Sequence, residues 1–176
     1  MKYRKTILIT CLVSLFIISG HIHGQSKSKE ALGNALVKSI LSKNLDSFKA
    51  LLVPQNVALN LLENEAPENI DEVERDALRT QSQATYSDVL MPQYENNFWE
   101  MVNLDETNNI DWSNLNFVIL YKYASKQEDY IPFLIHSKLV NSDYNHFYFS
   151  AVRYNGAWFL EDKMEITKGE KYGAHE

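Results

Sequence analysis

"HFYFSAVRYNGAWFLED", residues His146 to Asp162, holds two aromatic-rich runs around a single Asn155-Gly156. Asn-Gly between alternating runs is the strongest short-range signal for a two-residue β-hairpin, because both central residues of a type I′ turn need positive φ. With those two at the tip, the register follows: Tyr154 opposes Ala157, Arg153 opposes Trp158 and Ala151 opposes Leu160. Side chains alternate between faces with period two. One face carries Phe147, Phe149, Ala151, Arg153, Trp158, Leu160, Asp162 and Met164. The other carries Tyr148, Ser150, Val152, Tyr154, Phe159, Glu161 and Lys163. The first set is richer in side chains that favour full burial, so it is expected to face the core.

Two more strands are expected upstream, at 115–123 and 129–140, both dense in β-branched and aromatic residues. Their odd positions, Leu115, Phe117, Ile119, Tyr121 and Tyr123, then Ile131, Phe133, Ile135 and Leu139, match the inward set. Short polar connections favour a meander. Pro132 lacks an N–H, which places it at an edge, a strand start or a bulge.

Residues 26–104 read as helices. In "SKEALGNALVKSILSKN" an apolar stripe runs through Leu32, Ala35, Leu36 and Ile40, with Ser26 or Ser28 as the cap and Asn44 as the stop. "LDSFKALLVP" is a short second helix capped by Asp46 or Ser47, and "QNVALNLLENEA" a third. A longer helix follows from about Ala66, which Pro92 should kink or end. Tyr94, Phe98, Trp99, Met101 and Val102 suggest a further buried helix, and "LDETNNIDWSN" a polar loop. Helices followed by strands predict an α+β fold, with N-terminal helices packed on one face of a curved four-stranded antiparallel meander sheet.

The start has the layout of a secretory signal: Lys2, Arg4 and Lys5, an apolar run from Ile7 to Ile18, then small and polar residues. The run is shorter than the ~20 apolar residues of a membrane helix. The expected division is a signal peptide at 1–24, a single domain at 25–168 and a disordered tail at 169–176, in a periplasmic or secreted protein. Cys11, the one cysteine, lies inside the apolar run after Thr10, a poor context for lipidation. The mature chain then has no cysteine, which excludes disulfides, thiol catalysis and cysteine zinc sites. It carries fourteen basic against twenty-three acidic residues, a net charge of −9. That sign argues against nucleic acid and anionic lipid as partners.

The hairpin and the segment "SILSKNLDSFKALLVP" together resemble the nuclear-transport-factor-2-like and cystatin-like α+β superfamily. The resemblance implies a sheet wrapped around a cone-shaped cavity, which hosts enzymes in some branches and only binds or packs in others. On that reading Tyr94, Trp99, Tyr121, Phe149, Arg153 and Trp158 are the expected ligand-binding residues. Tyr148, Val152, Tyr154 and Phe159 form an expected exposed patch for a protein partner or a homodimer.

No catalytic residue, metal ligand or cofactor is assigned. The acidic run Glu63, Glu65, Glu68, Asp71, Glu72 and Glu74 reads as a solvated face. Asp105, Glu106, Asn108, Asn109 and Asp111 have the look of a calcium loop but lack its glycine and terminal glutamate. His136 has outward parity, His146 starts a strand and His175 lies in the tail, none at a recognisable spacing from a carboxylate. Phosphate loops, nucleophile elbows and dinucleotide fingerprints are missing. Three functions stay open. One is a non-catalytic domain binding a small apolar or amphipathic ligand or a protein. A second is a cavity enzyme polarising its substrate with Arg153, Asp162 or a tyrosine. The third is an acidic partner for a basic target.

Overall fold

A computed structural model describes residues 26–59, 70–125, 129–140 and 143–172. The expected signal peptide, Glu63, Glu65, Glu68, His175 and the side chain of Asp162 lie outside this description.

The first helix, α1, spans Lys29–Leu41. Ser28 accepts the Ala31 N–H at 3.2 Å and so satisfies one free donor of the first turn. The chain leaves the helix through Ser42 and then Lys43, whose φ is +52°. Asn44, expected to stop α1, instead caps α2 (Leu45–Lys49) by accepting the Ser47 N–H at 2.8 Å. Residues 55–59 are helical. Helix α3 covers Glu72–Thr85 and α4 covers Met91–Asn108.

Pro92, expected to kink or end the helix, does not end the helical course here. The five residues Tyr86–Leu90 form a π-helical turn, and the Met91 N–H reaches back to the Tyr86 carbonyl. A wider turn relieves the clash of the pyrrolidine ring with the preceding turn and absorbs its missing donor. The helical course therefore continues from α3 into α4. Helix α4 also extends further than expected, to Asn108, where Asn109 closes it at φ +47°. Asp105 and Asp111 are used locally. Asp105 accepts from the Trp112 indole at 2.6 Å, and Asp111 accepts the Ser113 N–H at 2.9 Å.

Four strands, β1 (Val118–Lys122), β2 (Tyr130–Lys138), β3 (His146–Tyr154) and β4 (Ala157–Thr167), pair antiparallel in chain order. The fold is α+β with an open meander sheet. Asn155 and Gly156 have φ +48° and +79°, and Tyr154, Arg153 and Ala151 face Ala157, Trp158 and Leu160, the register the Asn-Gly turn dictates. Further along, Phe149 pairs with Met164, so β4 carries two extra residues opposite Ser150. An even-numbered insertion preserves facing, which keeps Met164 and Ile166 on the core side.

In β1 the irregularity is a single residue. Ile119 pairs with Ile135 but Tyr121 pairs with Leu134, leaving Leu120 as the bulge. One inserted residue exchanges the faces. Tyr121 and Tyr123 therefore share the face of Leu134, not the core face expected for them. Ile119, also expected inside, is 42% exposed at the sheet margin. Pro132 accepts from the Tyr123 N–H at 3.0 Å, so its donorless nitrogen points past the last residue of β1.

The outer edge of β4 is occupied. Ser26 forms an antiparallel bridge with Trp158, and Leu52 a parallel one with Leu160. The Leu160 N–H donates to Leu51 at 2.7 Å. These contacts cover donors and acceptors that an open edge offers to other chains.

The core joins Leu32, Leu36 and Ile40 of α1, Phe48 of α2, and Phe98 and Val102 of α4 to Ile135, Phe147, Phe149, Trp158 and Leu160 of the sheet. Rings fill it: Phe48 on Phe98 at 4.9 Å, Phe117 on Phe149 at 5.7 Å, Phe133 on Trp158 at 4.9 Å. Gly33 permits the Phe117 contact, since a Cβ there would lie 2.5 Å from the ring.

Candidate functional site

The six expected ligand-binding residues do not assemble. Phe149 and Trp158 are buried members of the core and Tyr94 packs against it. Trp99 is 41% exposed on α4, edge-on to Phe98. Tyr121 lies on the opposite sheet face, and Arg153 is exposed beside the hairpin tip. Between sheet and helices, where the resemblance implies a cavity, side chains pack together, Phe48 on Phe98 and Phe133 on Trp158 among them.

The expected exposed patch is also corrected. Tyr148, Val152 and Phe159 are buried and Tyr154 is half-buried, so they present no open apolar surface for a homodimer. On the central strands Leu134, Tyr148 and Val152 of the second face are buried, as Ile135, Phe149 and Ala151 of the core face are. Sequence parity sorted the faces correctly but carried no information about what else covers the second one.

On that second face the titratable side chains converge. His136 of β2 pairs with Tyr148 of β3, which pairs with Glu165 of β4. Direct cross-strand partners project to the same side, so the three form one row. His146 lies two residues before Tyr148 on the same face. Its Nδ1 is 2.9 Å from His136 Nε2 and 3.3 Å from the Tyr148 hydroxyl. The rings stack, His136 on Tyr148 at 4.7 Å and His136 on His146 at 5.1 Å. Tyr148 is fully buried and His146 is 6% exposed. Burial pushes the His136 imidazole below its ordinary value, and the neighbouring His146 adds to the effect.

The C-terminal segment closes this row. The Lys171 N–H donates to the Tyr148 hydroxyl at 3.2 Å, and Tyr172 packs edge-on against Tyr148 at 4.9 Å. Tyr172 donates to Glu165 at 3.1 Å, Lys171 donates to the other Glu165 oxygen, and the Lys163 ammonium donates to Tyr172. Burial acts against ionisation of Glu165, but these donors prevail and hold its carboxyl below the ordinary range. Lys171 and Tyr172, within the tail expected to be disordered from residue 169, thus lie against this row.

Chemically the two facing imidazole nitrogens can share one proton in a hydrogen bond. One imidazole nitrogen donates while the other accepts, and the Tyr148 hydroxyl links them to the backbone of the tail. Among the described residues no three histidine, cysteine, aspartate or glutamate side chains gather as a metal site. The row was missed in the sequence because His136 and His146 are brought together by strand pairing across a loop. The usable signal was their shared even parity with Tyr148.

A second feature lies among the helices. An open groove of about 310 Å³ runs between residues 58–59, α3 and the π-helical turn. Its lining is mostly apolar, from Ala58, Leu59, Leu78 and Leu90, with polar groups from Gln81, Ser82 and Thr85. Tyr86 contributes a wall and donates its hydroxyl to the Val53 carbonyl at 3.1 Å. Helix α3 buries none of its side chains.

No family model, curated protein or solved structure matches this chain. No described helix is long and apolar enough to cross a membrane.

Proposed function

We propose that this is an exported, non-catalytic binding domain that takes a small apolar or amphipathic ligand in the groove on its helical side. The observation that carries the reading is the groove: its volume of about 310 Å³ lies at the lower end of ligand sites, and an apolar lining with a few polar groups is their usual composition. Export rests on the signal-like residues 1–24. The nuclear-transport-factor-2-like or cystatin-like kinship, with a sheet bent around the helices, belongs to the same reading. It is supported by helices preceding a meander and by the irregularities in β1 and β4, since bulges bend strands.

Titration of the protein with decanoate, followed by NMR methyl shifts, tests it. The expected result is saturable shifts at Leu59, Leu78 and Leu90, weakened at least tenfold in Leu78→Asp. Shifts scattered over the surface without saturation, or unchanged binding in Leu78→Asp, would overturn it.

A further inference from the structure

We propose that His136 and His146 form a pH-operated latch. It holds the C-terminal segment 168–172 over the outer sheet face at neutral pH and lets it go when both imidazoles are protonated.

The geometry carries this in three steps. First, the two facing nitrogens are 2.9 Å apart. At that distance one must be an acceptor. With a single shared proton the contact is a hydrogen bond, whereas with two it sets donor against donor and cation against cation in a partly desolvated place. Second, the pair is built into the support of the tail. His136 stacks on Tyr148, and the Tyr148 hydroxyl lies 3.3 Å from His146 Nδ1. That same hydroxyl accepts the Lys171 N–H. Parting the imidazoles therefore moves or re-orients the group on which the tail is hung. Third, besides the Tyr172 ring against Tyr148, the tail contacts among the described residues are mostly at the surface: Tyr172 and Lys171 to Glu165, Lys163 to Tyr172, the Thr167 hydroxyl to the Gly169 carbonyl and Lys168 over the Tyr144 ring. Exposed ion pairs of this kind contribute little.

Charged groups near the pair lie on β2, β4 and the tail. Lys138 on β2 is cationic and opposes a second proton, while Glu170 on the tail favours it. Lys163 and Glu165 on β4 and Lys171 on the tail largely satisfy one another. On β1 the cross-strand partner of His136 is Val118, which carries no charge. Burial, and after it the neighbouring His146, disfavours the charged form of His136, so the release falls below the ordinary histidine value.

The test is an NMR titration of the full chain from pH 7.5 to 5.2, above the range where carboxylates ordinarily take up protons. The Lys171 amide and the relaxation of residues 168–172 report the tail, and the amides of Ala151 and Leu160 report the sheet. The expected result is a rigid tail at pH 7.5 that becomes mobile with a midpoint below 6.5, while the sheet amides hold. His136→Gln keeps a neutral hydrogen-bonding group, and in it the tail is expected to stay rigid down to pH 5.2. A tail unchanged across the range in the wild-type chain would overturn the proposal, as would a tail that melts only together with the sheet. So would a transition that survives in His136→Gln. The wild-type titration decides the matter even where that variant folds poorly.

Discussion

His136 Nε2 and His146 Nδ1 face each other at 2.9 Å across β2 and β3, on the side of the sheet away from the helices. The antiparallel register of β2 and β3 brings them together from ten residues apart in the chain.

Stability should fall as the solution is acidified through the histidine range. His136 binds a proton less readily folded than unfolded, its value being lowered from 6.5. Between the two values the unfolded chain carries more protons, so this contribution is complete above about pH 6.5 and is lost as pH falls through the folded value. Glu165 acts lower. Its folded value is below 4.5, so its contribution is present above that pH and disappears as pH falls through the folded value. Urea unfolding at intervals from pH 8 to 3 should show two separate losses, and His136→Gln should flatten the upper one only. Greater stability at pH 5.5 than at pH 7.5 would contradict this.

Gly33→Ala should destabilise the protein although alanine is the better helix former. The new Cβ would meet the Phe117 ring at 2.5 Å, and Phe117 is itself pinned against Phe149. Overpacking of this kind costs about 1–3 kcal/mol, against a helix-propensity gain of at most ~1 kcal/mol. A net loss in thermal melting is expected, and it should be partly recovered by adding Phe117→Leu.

Gly156→Ala should cost about 1–2 kcal/mol, because a Cβ is strained in the left-handed region where Gly156 sits at φ +79°. No atom lies within 4 Å of the added methyl, so the loss is purely conformational. Gly156→Asn should be milder than Gly156→Ala in the same denaturation series, since asparagine tolerates that region better.

Phe98→Ala and Val73→Ala offer a contrast in packing. Phe98 is fully buried between Phe48 and Trp99, and its loss should cost about 3–5 kcal/mol. Val73 is 77% exposed on α3, and its replacement should stay within about 0.5 kcal/mol. Comparable losses for the two would mean that α3 is covered in solution.

The Asn155-Gly156 turn, the parity of β2 and β3 and the stripe of α1 were legible in the amino-acid sequence, because each depends on local geometry and period alone. Trp158, Phe149 and Ile135 are inside for that reason. Other features belong to the tertiary structure. Leu120 bulges and moves Tyr121 to the other face, a shift that only its pairing partner Leu134 reveals. The π-helical turn before Pro92 lets α3 run on into α4. Lys171 and Tyr172 fold back onto Tyr148, a side chain that alternation alone would leave to solvent. Period two separates two faces but does not say whether water reaches either. That is decided by segments distant in the chain, as is the meeting of His136 with His146.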